Sequence, residues 1–116
     1  MIFIIGIARG CSFIVANHPI DNLDYVNELN KRRGPDATNT YEHSGGWHFV
    51  HNLLHMTGEF TLQPFCKDEV CATFNGEIYN YNDLFDQTFK SDGYSLLPTY
   101  KRYGNINYIY LDEESR

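Results

Sequence analysis

The chain has 116 residues and a net charge of −6 at pH 7, and 42% of its residues are hydrophobic. This length fits one domain, and this hydrophobic content fits a folded protein rather than a disordered one. The acidic balance argues against binding to nucleic acid or to an anionic membrane. The longest apolar run, residues 1–8, is too short to cross a bilayer and does not resemble a signal peptide, so we expect a cytoplasmic protein.

The first part of the chain predicts two strands and a helix. Residues 2–8 form an apolar run without polar alternation, which is typical of a strand buried on both faces. Residues 12–16 predict a second strand, which could form a hairpin with the first. A helix should follow, with Asp21 as its N-cap and an end before Gly34. Its apolar stripe would be formed by Leu23, Val26 and Leu29.

The second part of the chain alternates between strands and polar connections. Residues 37–46 are polar and predict a loop, whereas residues 47–54 predict a strand. Residues 67–69 predict the turn of a hairpin whose second strand is formed by residues 70–74. The spacing of residues 79–89 is compatible with a helix. A last helix should be capped by Ser91 and Asp92 and end at Gly104, with an inward face formed by Leu96, Leu97, Tyr100 and Tyr103.

The three cysteines do not form the pattern of a disulfide framework. Cys66 and Cys71 flank the predicted turn and could face each other across the hairpin. In the cytoplasm we expect them to be reduced and buried.

A short stretch that begins at the end of the predicted strand 70–74 combines several polar groups. Asn75 supplies a side-chain amide, Gly76 a backbone N–H, and Glu77 a carboxylate. Such a turn can bind an oxyanion or an amino group. The alternative is an ordinary Asn-Gly hairpin turn without a ligand.

Four histidines lie close together in the sequence: His43, His48, His51 and His55. On a strand His48 and His51 point to opposite faces, so these side chains do not converge on one ion. We therefore expect surface or pocket-lining histidines and no metal site.

Five short motifs occur in an order that identifies a family resemblance. They are Arg33-Gly34-Pro35-Asp36, His51-Asn52-Leu53-Leu54, Gln63-Pro64, Asn75-Gly76-Glu77-Ile78-Tyr79-Asn80 and Ser91-Asp92. In this order the chain resembles the glutaminase domain of class II glutamine amidotransferases, which are N-terminal nucleophile hydrolases, and most closely the asparagine synthetase type. The resemblance covers residues 1–104 and leaves 105–116 as a short C-terminal tail.

The resemblance implies an α+β fold of the N-terminal nucleophile hydrolase kind, a four-layer αββα sandwich. About half of the family's strands are missing, so the domain looks truncated to its first half, with unpaired sheet edges and uncovered apolar faces. We therefore expect a synthetase domain or subunit as a partner, or self-association. No cofactor is expected in this domain, whereas a synthetase partner would use ATP and magnesium.

The family's chemistry assigns a role to each matched residue. Asn75 and Gly76 would form the oxyanion hole for hydrolysis of L-glutamine, and Glu77 and Asp92 would bind its α-amino group. The glutamine pocket would be lined by Leu53, Leu54, His55, Met56 and Thr57.

Two departures from the family put activity in doubt. Ile2 stands where the family has its cysteine nucleophile, and Leu53 stands where an arginine would pair with the substrate carboxylate. We therefore expect a domain that has lost catalysis. The alternatives are a non-catalytic glutamine-binding or partner-docking module, and a nucleophile at Cys11, which would require removal of residues 1–10.

Overall fold

The computed structural model describes residues 10–56 and 58–105 in full, and the backbone of residues 2–6. In these ranges the chain is an α+β protein with two three-stranded sheets. Its elements in chain order are β1 (Ile2–Gly6), β2 (Ser12–Ala16), α1 (Leu23–Asn30), β3 (Ala37–His43), β4 (Trp47–Leu53), β5 (Phe65–Lys67), β6 (Val70–Asn75), a 3-10 helix (Asp92–Ser95) and α2 (Leu96–Tyr103).

The first sheet has the order β2-β4-β3, and both pairings are antiparallel. Its central strand β4 is buried on both faces from Phe49 to Leu53. Because side chains alternate along a strand, Phe49, His51 and Leu53 share one face, and Val50 and Asn52 share the other.

Helix α1 is joined to this sheet by a buried polar network around Asn52. The Asn52 amide donates to Asn27 Oδ1 at 2.7 Å and to Ser12 Oγ at 3.1 Å, and its oxygen accepts the Thr38 hydroxyl at 2.8 Å. Ser12 in turn donates to the backbone oxygen of Asn30 at 2.8 Å. One fully buried amide therefore connects the helix with all three strands of the sheet.

The second sheet has the order β1-β6-β5. Strand β1 runs parallel to β6, with Ile2 opposite Cys71 and Gly6 opposite Asn75. Strand β5 pairs with β6 as an antiparallel hairpin. Helix α2 contacts β5 and β6, and the core between them consists of Phe65, Ala72, Phe74, Ile78 and Leu96.

The two sheets approach each other through β2 and β6, which are in contact. His51 points from β4 away from α1 and is 1% exposed. The backbone of Phe74 in β6 lies near its ring, yet neither ring nitrogen makes a hydrogen bond.

The loop before β3 lies directly on β4. A side chain at Gly34 would place its Cβ 2.0 Å from the backbone oxygen of Asn52, so only glycine fits there. The Asp36 N–H donates to the Leu53 oxygen at 3.0 Å, and the Asp36 carboxylate accepts the His55 N–H at 2.7 Å. This loop therefore holds the end of β4 in place.

Several predictions for the first half of the chain are wrong. Strands β1 and β2 do not form a hairpin, because each is paired within a different sheet. The last two residues of the predicted strand 2–8 lie outside the described residues. Residues 37–43, which predicted a loop, form β3, because pairing with β4 satisfies their backbone regardless of their polar side chains.

The predicted features of α1 are also only partly correct. The residue at its N-cap is Asn22 rather than Asp21, and Asn22 adopts the left-handed conformation that asparagine tolerates. The expected stripe is not buried: Val26 and Leu29 are 38% and 49% exposed. The buried side chain of Asn27, through its hydrogen bond with Asn52, holds the helix on the sheet.

In the second half, residues 79–89 form turns and no helix. Asn82 uses its side-chain oxygen to accept the N–H of Phe89 at 3.4 Å, an example of an amide that competes with helical hydrogen bonds. Strand β4 and the hairpin of β5 and β6 are confirmed. The last helix is confirmed from Leu96 to Tyr103, with Gly104 in the left-handed conformation at its end.

The prediction of reduced thiols at Cys66 and Cys71 is wrong in this structure. These residues lie directly opposite each other in the β5-β6 hairpin, with a Cα–Cα distance of 4.2 Å, and form a disulfide. Cys11 is a free thiol.

None of the helices in the described ranges is long and apolar enough to cross a membrane.

We expect Asn52→Ala to lower the free energy of unfolding by about 2–4 kcal/mol, because it removes the hydrogen bonds of the buried Ser12 and Asn27 side chains and of the Thr38 hydroxyl. Urea denaturation measures this loss. Thr40→Ala removes an exposed hydroxyl from the same sheet and should change stability by less than about 0.5 kcal/mol. Equal effects of the two substitutions would contradict the role given to the network.

Burial lowers the pKa of His51 to about 4 from the ordinary value of 6.5. Between these values the unfolded chain binds more protons, so stability should fall as the pH is lowered from 6.5 to 4. The expected loss is about 3 kcal/mol.

Urea titrations of His51→Gln and the wild type between pH 7 and pH 4 measure this contribution. The variant should lack the loss, whereas His48→Gln, on the half-exposed opposite face of β4, should retain it. A His51→Gln profile parallel to that of the wild type would refute the assignment.

Candidate functional site

A pocket lies where the ends of β4 and β6 meet the start of the 3-10 helix. Its volume is about 570 Å³, which is within the usual range for small-molecule sites. Leu53, Phe65 and Phe74 are apolar groups in its wall, and the polar groups described below converge on it.

The turn after β6 contributes an amide that has no hydrogen-bond partner for its oxygen. Asn75 is 6% exposed, and its Oδ1 is buried without a partner. Gly10 lies against this oxygen, since a Cβ there would be 3.2 Å away. Rotation of the amide by half a turn would present its NH₂ group instead, so Asn75 can serve a ligand as acceptor or as donor.

Gly76 directly follows this amide and also lines the pocket. Its φ of 146° lies in the region that residues with a side chain rarely adopt. The glycine therefore allows the chain to turn sharply at the strand end, which brings Glu77 to the pocket wall as well.

Asp92 connects the 3-10 helix to this turn. Its carboxylate accepts the N–H of Ile78 at 2.9 Å, the N–H of Gly93 at 2.8 Å and the hydroxyl of Ser91 at 3.3 Å. Burial raises the pKa of Asp92, and the nearby charge of Glu77 raises it further, while the three hydrogen bonds oppose the shift. Two carboxylates thus share one side of the pocket.

The end of β4 forms another side. Leu53 is buried, Leu54 is half-buried, and His55 and Met56 are exposed at the opening; all four line the pocket. Thr57, which the sequence predicts as part of this wall, lies outside the described residues.

Gln63 holds the strand that leads into the turn. Its side-chain oxygen accepts the Phe74 N–H at 2.7 Å and the Thr73 hydroxyl at 3.3 Å. The peptide bond between Gln63 and Pro64 is cis. The Gln-Pro motif thus marks a residue that positions β6 and lines the pocket.

Cys11 also lines the pocket, next to Gly10. Its sulfur accepts the Leu54 N–H at 3.1 Å. Burial raises the pKa of the Cys11 thiol, the hydrogen bond from Leu54 opposes this shift, and the charges of Asp92 and Asp36 raise the pKa further. The thiol is therefore protonated at neutral pH.

The backbone register separates Ile2 from the turn. Ile2 is opposite Cys71, four positions before Asn75, a separation of roughly 13 Å along the strand. Gly6 is the β1 residue that lies opposite Asn75. The resemblance assigns the nucleophile position to Ile2, whereas the register of β1 brings Gly6, and not Ile2, opposite Asn75.

Glu59 and Thr61 also line the pocket, although no sequence motif predicts a site role for them. They lie in the connection between β4 and β5, whose path is fixed by the bond from the Glu59 N–H to the Lys90 oxygen at 2.9 Å. This long-range contact has no local sequence signal.

The histidines do not form a cluster. His55 is exposed at the pocket, His48 is half-buried at a small apolar cavity beneath α1, and His51 is buried between the sheets. Among the described residues, no group of three or more His, Cys, Asp or Glu side chains is placed to hold a metal ion.

Comparison with known proteins gives one match. No curated protein and no solved structure matches the chain. A family defined as the glutamine amidotransferase domain matches residues 4–109, which is most of the chain. The chain therefore belongs to the glutamine amidotransferase domain family.

Proposed function

We propose that this chain is a glutamine amidotransferase domain of the class II, asparagine synthetase-like type, which binds a glutamine-type amide but has lost the family's catalysis. The observation that carries the proposal is the convergence of Asn75, Gly76, Glu77 and Asp92 on the pocket that residues 53–56 also line. Motif residues separated by up to 39 positions in sequence thus surround one space of ligand size.

Each group has a chemical task in this proposal. The Asn75 amide, whose buried oxygen lacks a partner, would bind the side-chain amide of the ligand together with the Gly76 N–H. Glu77 and Asp92 would accept hydrogen bonds from an ammonium group, which are stronger than neutral ones. The apolar wall around Leu53 would contact the ligand's methylene groups.

The loss of catalysis rests on two residues. Ile2 occupies the sequence position of the family's cysteine nucleophile, and a hydrocarbon side chain cannot form a thioester. Leu53 occupies the position of the carboxylate-binding arginine and leaves that group of glutamine without a counter-charge. Asn75 and Gly76 would then hold an amide without a nucleophile at the family's cysteine position.

The arrangement of layers supports an N-terminal nucleophile hydrolase-like αββα sandwich, truncated to its first half. α1 lies on the sheet of β4, α2 lies on the sheet of β6, and the two sheets meet between the helices. Each sheet has only three strands in the described ranges.

The exposed apolar side chains support a partner. On α1, Tyr25, Val26 and Leu29 are 70%, 38% and 49% exposed, and the outer strands of both sheets have free edges within the described ranges. A synthetase domain or subunit that uses ATP and magnesium, or a second copy of the chain, would cover these surfaces in the cytoplasm. This domain itself would need no cofactor.

We expect weak binding of L-glutamine by titration calorimetry, with a dissociation constant on the order of 1 mM, and no release of glutamate. Asp92→Asn and Glu77→Gln should each weaken binding about tenfold or more, because each removes a charge-assisted contact. Asp86→Asn, an exposed residue that does not line the pocket, should leave it unchanged.

Protein-dependent glutamate release would contradict the loss of catalysis and leave the binding site standing. If the folded protein shows no heat of binding at roughly 10 mM glutamine, about ten times the expected dissociation constant, the proposal of a glutamine-binding site is wrong.

The position of Cys11 favours a second candidate, in which this thiol hydrolyses the amide. Cys11 lines the same pocket as Asn75 and Gly76. Its raised pKa argues against this candidate, because the thiolate and not the thiol is the nucleophile.

Alkylation by iodoacetamide separates the two candidates. The disulfide protects Cys66 and Cys71, so only Cys11 reacts. We expect its rate at pH 7.5 to be lower than that of glutathione and to keep rising with pH beyond 9, since burial raises its pKa. Rapid alkylation at pH 7, together with glutamate release that Cys11→Ala abolishes, would favour the hydrolytic candidate instead.

A further inference from the structure

The charges around the pocket have one sign. Three carboxylates line it, from Glu59, Glu77 and Asp92. Within the described part of the chain, its wall contains no Lys or Arg side chain. A free carboxylate on a ligand would therefore be placed near like charges without a cation to offset them.

Within the described part of the chain, Glu59 is the one of these three carboxylates that has an ion-pair partner. Lys90 Nζ lies 3.8 Å from Glu59 Oε2, and both side chains are mostly exposed, so this pair is screened by solvent. In the ranges that the structure describes, Glu77 and Asp92 pair with no Lys or Arg. Both of these carboxylates are half-buried, and burial raises the pKa of Asp92.

The buried amide of Asn75 independently indicates a ligand. Its oxygen is unpartnered although Asn75 is only 6% exposed, and a buried acceptor without a hydrogen bond destabilises the fold unless a ligand supplies the donor. As an acceptor, Asn75 would take a hydrogen bond from an N–H donor. An acceptor amide beside two carboxylates therefore suits a ligand that carries both an NH₂ group and an ammonium group.

We propose that the ligand of this pocket is a glutamine whose α-carboxyl group is blocked as an amide, as in an amino-terminal glutaminyl group of a peptide. This inference rests on the proposed function, which supplies the side-chain amide of the ligand. It adds that the α-carboxyl group of the ligand carries no charge. The α-ammonium group of this ligand binds Glu77 and Asp92. Its neutral amide replaces the α-carboxylate, for which the hydrocarbon side chain of Leu53 provides no counter-charge. The pocket of about 570 Å³ opens at exposed Met56, which can contact the next residue of such a peptide.

The test compares three ligands by calorimetry at pH 6.5, where an α-ammonium group is mostly protonated. They are L-glutamine, L-glutaminamide and Nα-acetyl-L-glutaminamide. Glutaminamide should bind at least about tenfold more tightly than glutamine, and the acetylated compound, which lacks the ammonium group, should bind at least about tenfold more weakly than glutaminamide.

Variants test the cause of this preference. In the double variant Glu77→Gln/Asp92→Asn, the preference for glutaminamide over glutamine should shrink to less than about threefold, because most of the negative charge is gone. Asp86→Asn should keep the wild-type preference. Arg9→Gln should keep it too, although Arg9 precedes Gly10 in sequence and lies outside the described residues.

The outcomes are distinct. Binding of glutamine as tightly as glutaminamide, or a preference that arises only in Arg9→Gln, would overturn this inference and leave the proposed function standing. No binding of any of the three ligands to folded protein would overturn both. A preference that survives removal of both carboxylates would also overturn the inference.

Discussion

The hydrogen bond from the Ile78 N–H to the carboxylate of Asp92 determines the shape of the candidate site. It fastens the turn after β6 to the start of the 3-10 helix, two segments that have no strand pairing between them. This hydrogen bond therefore brings Glu77 and Asp92 to the same side of the pocket. The same carboxylate accepts the N–H of Gly93, so it also starts the helix that leads into α2.

The other sides of the pocket are fixed by backbone contacts to polar side chains. Gln63 accepts the Phe74 N–H and thereby positions β6, while Asp36 accepts the His55 N–H and positions the end of β4. Gln63 and Asp36 each belong to one of the five motifs that carry the family resemblance. The motifs therefore describe a frame around a cavity as much as they describe groups that would contact a ligand. The hydrogen bonds of this frame stabilise the fold independently of catalysis.

Much of this arrangement could be predicted from sequence because its signals are local. The strand before Asn75, the helix ending at Gly104 and the convergence of Glu77 with Asp92 follow from turn residues and ordered motifs. Strand β3 could not be predicted, since its polar residues form a strand only by pairing with β4. The placement of Glu59 at the pocket also escaped prediction, because it depends on a contact with Lys90, more than 30 residues away. The sequence indicates Cys11 only as an alternative nucleophile, since its place at the pocket depends on a contact with Leu54, also more than 30 residues away. The disulfide was missed for a different reason: the hairpin register was foreseen, but the redox state of its thiols is not a property of spacing.

The parallel pairing of β1 with β6 has a consequence for how the domain is assembled during synthesis. Ile2 pairs with Cys71, roughly seventy residues further along the chain, so β6 must have left the ribosome before this sheet can form. Until then the apolar segment that forms β1 is available to chaperones and to other growing chains. The sheet that contains β4 has all its strands between Ser12 and Leu53 and can form earlier. The cavity, which needs the ends of both sheets, would be the last part of the domain to take shape.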